Sequence, residues 1–195
     1  MNSAPRPVSE LVEFLLSLGT DEIDHTRHGF LTHLRAVHDL LAEHDAGDEL
    51  SAAGLFHSIY GTEKFQDFSL PLSERAQVRE LIGDRAERIA WLNCVMDRST
   101  FDAAVSAALA GNGDLSISDR KGNPAIPMSL NELRDLAHVH LFDWLEQVER
   151  SEFGWSYRRE AYREMARLVG PAAEALYEDV FAREPSGSTA VGGGL

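Results

Sequence analysis

The sequence predicts an all-α domain, a single helical bundle, on three observations. Apolar residues recur at three- and four-residue spacing along most of the chain. Capping residues flank those runs, and no stretch alternates apolar with polar as a half-buried strand would. Val8, Leu11, Val12, Leu15, Leu16 and Leu18 form the first run, with Ser9 as its N-cap and Gly19 as its C-cap. Phe30, Leu31, Leu34, Val37, Leu40 and Leu41 form the second, stopped at Asp45-Ala46-Gly47. Asp48 caps a third, short helix over about residues 49–59, broken at Tyr60-Gly61. Residues 73–98 read as a long helical region with a turn at Gly83-Asp84, and residues 101–110 as another helix, ended by Gly111-Asn112-Gly113. The Gly-, Asn-, Asp-, Ser- and Pro-rich stretch 111–128 is long enough for a lid or substrate-contacting loop. Ser129, with Glu132 as its capping-box partner, opens a helix to about residue 150. Helices over 156–169 and from Pro171 follow, and residues 185–195 read as a flexible tail. No repeat or linker divides residues 1–184, so one domain is expected there.

Composition narrows the function classes. A chain of 195 residues, 44% hydrophobic, is long enough to bury a sizeable core. Asp and Glu (32) outnumber Lys and Arg (18), for a net charge of −14, which disfavours nucleic acid and anionic membrane as partners. No apolar run approaches the roughly 20 residues that span a bilayer. The first ten residues lack the charged start and apolar stretch of a signal peptide. Cys94, the one cysteine, makes neither an internal disulfide nor a thiolate cluster. The expectation is a cytoplasmic domain acting on a small-molecule substrate.

The histidines carry the chemistry. His25, His28, His33, His38, His44 and His57 crowd into one region, and His138 and His140 follow on a late helix. Neutral imidazole is the commonest biological metal ligand, so histidines on separate helices of a bundle point to a metal. His57 ends the apolar run Ala52-Ala53-Gly54-Leu55-Phe56, where an unpaired ring would be costly. His33 sits beside the apolar face of Val37 and Leu40, and His28, one turn before Leu31, faces a pocket mouth. His38 shares the face of Leu34 and Leu41 and reads as a satisfied core histidine, while His25 and His44 read as surface or helix-end residues. On the late helix His140 borders the stripe Leu133, Leu136, Ala137, Leu141, Trp144 and Val148, and Asp143 is its neighbour one turn on. The pair reads as a ligand and its orienter, as two ligands, or as a simple helix-surface pair; His138 lies on the opposite flank. Trp91, Trp144 and Trp155 read as core.

These residues resemble the HD superfamily of metal-dependent helical phosphohydrolases. His33 with Val37 four later, Leu40-Leu41, the acidic start Asp48-Glu49, and Ala52-Ala53-Gly54-Leu55-Phe56-His57 follow the family's rhythm. The interval from His33 to His57 is most like the (p)ppGpp hydrolases of the stringent response. Residues 79–97 are similar to the segment after their metal motif, and residues 136–141 fall where that group carries its last metal-binding aspartate. The aspartate that normally follows the second histidine is Ser58 here. A glutamate-aspartate pair four and five residues after that histidine is replaced by Gly61 and Thr62, with Glu63 one residue on. The resemblance implies a divalent metal (Mn, Fe or Zn) held by His33, His57, His140 and Asp143, with Glu63, Asp97 and His28 as catalytic candidates. Arg27, Arg35, Arg75, Arg79 and Arg98 are available for a local positive pocket or for solvated helix faces. Three functions stand open: a metal-dependent hydrolase of a phosphorylated or otherwise polar small molecule, an HD-type di-iron oxygenase, and a metal-free scaffold with a binding role.

Overall fold

The computed structural model describes residues 4–18, 26–63, 69–113 and 115–186, with the side chains of 26–28 left out. The expectations for His25, for Gly19, for the side chains of Arg27 and His28 and for the tail beyond residue 186 lie outside the described residues. The rest is an all-α fold. Its helices are α1 (Val8–Ser17), α2 (Thr26–Glu43), α3 (Asp48–Leu55), α4 (Arg75–Ile82), α5 (Asp84–Val95), α6 (Arg98–Leu109), α7 (Leu130–Gln147), α8 (Arg159–Val169) and α9 (Pro171–Phe181). No helix among the described residues is long and apolar enough to cross a membrane.

Helix α7 is the axis of the bundle, packing against α2, α3, α5, α6, α8 and α9. Its sequence explains this position. From Val139 to Leu145 every residue is buried, so the helix is covered on all sides. The predicted capping box is present, with Ser129 and Glu132 exchanging side-chain-to-backbone bonds at 3.2 and 2.9 Å. Helices α2 and α3 pack closely because Gly54 lacks a side chain. A Cβ built there would lie 2.4 Å from Leu41 Cδ1 and 3.2 Å from Val37 Cγ1.

Several sequence expectations are corrected. The N-cap of α1 is Pro7 and that of α3 is Gly47, rather than Ser9 and Asp48. The region 73–98 divides at Gly83, whose φ of +84° ends α4 and caps α5, at the turn the sequence marks. Helix α3 ends at Leu55 instead of near residue 59. Beyond Leu55 the backbone tightens into turns bonded three residues apart, and the His57 carbonyl accepts from Asn93 Nδ2 (2.8 Å) and Cys94 Sγ (3.3 Å) on α5. The stretch 111–128, expected to be strandless, contains a small antiparallel pair, β1 (Ser116–Ile117) and β2 (Ile126–Pro127). It is fastened down: Ile117 is buried, Ser118 N donates to Thr100 Oγ1, and Arg120 donates to the carbonyls of Cys94 and Gly61.

Candidate metal centre

Three helical segments converge on one point. His33 comes from the second turn of α2, His57 from the turn after α3, and Asp143 from the central helix α7. Their ligand atoms all lie within 4.8 Å of one another. His33 Nε2 is 3.1 Å and His57 Nε2 is 3.5 Å from the same oxygen, Asp143 Oδ1. Atoms about 2.0–2.2 Å from a common ion sit about this far apart from each other.

The second nitrogen of each ring is already engaged. His57 Nδ1 donates to the Gly54 carbonyl at 2.7 Å, which assigns the proton to Nδ1 and the lone pair to Nε2. His33 Nδ1 lies 2.5 Å from Glu146 Oε2, one turn beyond Asp143 on α7. Glu146 is held in turn by Arg150 Nη2, and Gln147 Nε2 donates to Asp143 Oδ1 at 2.7 Å. A carboxylate behind a histidine, fixing its tautomer and aim, is the usual support of a metal-binding imidazole.

Charge follows geometry. Burial lowers the His57 pKa and outweighs the nearby Asp143, so the ring is neutral. For His33 burial also favours the neutral form, but Asp143 and Glu146 together push the pKa up to about 9. Asp143 is held well below the usual carboxylate range, the facing histidines overcoming its burial. A raised pKa favours the protonated His33 ring between the two carboxylates.

The ligand group lines a cleft of about 250 Å³. Trp144, Tyr157, Tyr162, Phe30 and Phe153 line it with aromatic rings, and Ser58, Thr62 and Arg98 add polar groups. Trp144 and Tyr162 stack in parallel with centroids 5.2 Å apart, and Phe153 stacks on Tyr157.

His33, His57 and Asp143 are thus brought together as the sequence suggested; His140 is not. Its Nδ1 donates to Asn93 Oδ1 at 3.0 Å and its Nε2 accepts from Arg158 Nη1 at 2.9 Å, which leaves no lone pair for an ion. Burial and the Arg158 charge drive its pKa well below normal. Asn93 therefore links the His57 carbonyl to His140, and Arg158, tied to Asp102, closes the chain of bonds. Asp97 caps α6, its Oδ1 accepting from Thr100 N and Ser99 Oγ, and Glu63 is exposed; neither lines the cleft. Arg75 and Arg79 do not build a positive pocket. Both clamp the buried Glu87, at 2.6 and 3.1 Å, with the Tyr60 hydroxyl at 2.9 Å. Arg35 is exposed and Arg98 alone of these arginines reaches the cleft among the described residues. None of the described residues of 111–128 lines it, so that segment is no lid here. Trp144 is a cleft wall as well as core. Glu146 and Gln147 were missed by sequence reasoning, although their spacing of three and four from Asp143 places them one helical turn on.

A family model described as a domain of unknown function, DUF6817, matches residues 14–98. That span holds His33, His57 and Arg98 and stops short of Asp143 and Glu146. No curated protein and no solved structure matches the chain.

Proposed function

We propose that this protein is a hydrolase of a small polar molecule, dependent on one divalent ion held by His33, His57 and Asp143. The observation that carries the reading is the meeting of acceptors. The Nε2 lone pair of His57 faces a buried, ionised Asp143 oxygen at 3.5 Å, while its Nδ1 proton is committed to Gly54. Two acceptors face to face call for a cation between them. Two imidazoles and one carboxylate suit Mn, Fe or Zn, and three protein ligands leave positions open toward the cleft. An ion bound there lowers the pKa of water toward 7 and polarises a substrate oxygen.

The remaining work falls to the chain. Glu146 and the Gly54 carbonyl aim the two rings, Gln147 holds the Asp143 carboxylate, and the aromatic walls restrict water. Ser58 stands where the HD resemblance implies an aspartate. With serine there, the donor set has a single carboxylate and fits one ion better than two. Elemental analysis of untagged protein purified without chelators tests the reading. Near one Mn or Zn per chain, with phosphoester or ester turnover lost in His33→Ala and His57→Ala, supports it. Absence of metal, with no stabilisation by added Mn, Fe or Zn, overturns it.

One observation favours a second reading. Two histidines and one carboxylate with open positions also form the set used by mononuclear iron oxygenases. About one iron per chain and substrate-dependent oxygen uptake would select that chemistry over hydrolysis.

A further inference from the structure

The cleft above the candidate metal centre has its own recognition chemistry. Arg98, at the first position of α6, donates from Nη1 to the Tyr157 hydroxyl at 3.0 Å. Among the described residues no carboxylate pairs with Arg98, in contrast to Arg75, Arg79 and Arg158, which are each ion-paired. Tyr157 accepts from Arg98 with its oxygen, so its own proton is available to a further acceptor. Two more polar atoms of cleft-lining residues, Ser58 Oγ and Trp144 Nε1, are buried without any hydrogen-bond partner. An indole N–H can only donate, and a buried donor left unpaired is costly. Residues bearing a guanidinium, a phenol, an indole and a serine hydroxyl therefore line one cleft together with its aromatic side chains.

We infer that the cleft binds a small planar organic anion, an aromatic carboxylate, with its carboxylate on Arg98 and Tyr157 and its ring against the aromatic side chains that line the cleft. Arginine is matched to this role by its fork of parallel donors. Size agrees, since the cleft volume of about 250 Å³ lies below the roughly 300–1,000 Å³ of sites for drug-sized ligands. A single substituted ring fits this space. Charge is compatible: Arg98 is a positive group without a carboxylate partner among the described residues, in the cleft that also holds the ionised Asp143.

The inference names the ligand class of the proposed metal site and rests on that reading only for what happens after binding. Calorimetric titration with benzoate tests it, on both EDTA-treated and zinc-supplemented protein. Benzoate is expected to bind once per chain in either state, with benzamide and inorganic phosphate about tenfold or more weaker. Arg98→Gln should lose about ten- to hundredfold in benzoate affinity, and Arg98→Lys should recover only part of it, with zinc content and melting temperature unchanged in both. Should Arg98→Gln prove unstable, Tyr157→Phe, which deletes one donor, is expected to weaken benzoate severalfold. Benzoate binding that is indifferent to Arg98 and Tyr157, or phosphate binding in preference to benzoate, overturns the inference. So does an absence of benzoate binding to either form. Zinc uptake without benzoate binding defeats this inference alone, and benzoate binding without any metal uptake defeats the metal reading alone.

Discussion

The Nε2 lone pair of His57 faces Oδ1 of Asp143, an ionised oxygen, across 3.5 Å. A cation bound between them gains from both and has no counterpart in the unfolded chain. Zinc at about a hundred times its dissociation constant should therefore stabilise the fold by about 2.7 kcal/mol. For a chain of this size that is a rise in melting temperature of about 5–10 °C. His57→Ala removes one of three ligands and should abolish the rise while keeping the helical circular dichroism signal. A melting temperature that responds equally to zinc in wild type and variant would remove His57 from the centre.

Glu146 acts on the ion only through His33, whose Nδ1 it holds at 2.5 Å. Glu146→Gln keeps the shape and loses the charge that fixes the His33 tautomer. Support of this kind is worth roughly 10- to 100-fold in metal affinity. The expected result is weaker zinc binding in a competition titration with a chelator, at a stoichiometry still near one. Unaltered affinity would make Glu146 a surface partner of Arg150 and nothing more.

Gly54 joins packing to the site. Its missing Cβ allows α3 to approach Leu41 and Val37 on α2, and its carbonyl orients His57. Gly54→Ala would drive a methyl group to 2.4 Å from Leu41 Cδ1, in a part of the core with no exposed surface. Overpacking of this kind costs about 1–3 kcal/mol, and any separation of α2 from α3 carries His33 away from His57. Chemical denaturation and zinc titration together should report lower stability and weaker metal binding. A loss of stability with unchanged zinc affinity would confine the strain to the helix contact.

How far the site was legible depends on which physics governed each residue. His33 and His57 were readable because each sits beside a strong apolar run, where a polar ring needs a partner. Helical periodicity placed Asp143 on the inner flank of α7. The same periodicity assigned His140 to the site and failed, because its fate is decided by Arg158. That residue precedes α8 in a left-handed conformation (φ +46°) and delivers a guanidinium to His140 Nε2. No local pattern announces such a contact between segments distant in sequence. Likewise Arg75 and Arg79 look like solvated charges until α5 presents the buried Glu87 to them. Helix identities survived where amphipathic spacing was long. The end of α3 was misplaced because the backbone tightens after Leu55 into turns bonded three residues apart, such as His57 N to the Gly54 carbonyl, which apolar spacing does not reveal. The pair β1–β2 is too short for alternation to register.

His138 provides a pH-dependent term separate from the candidate centre. It lies on the far side of α7, with its ring edge-on to Phe142 at 4.6 Å between centroids, near Asp135 and His44. Burial lowers its pKa to about 4, with the neighbouring His44 adding to the effect and Asp135 opposing it. The folded state therefore binds this proton less readily than the unfolded chain, where histidine titrates near 6.5. Stability from the neutral ring is fully present above about pH 6.5 and is lost as pH falls toward 4. A shift of this size corresponds to at most about 3 kcal/mol across the window. His138→Leu removes the titrating group and keeps an apolar contact with Phe142. Unfolding free energies measured from pH 7 to pH 4 should fall less steeply in the variant than in wild type, with the difference concentrated between pH 6.5 and 4. Parallel curves would show that the His138 ring protonates as readily in the fold as outside it.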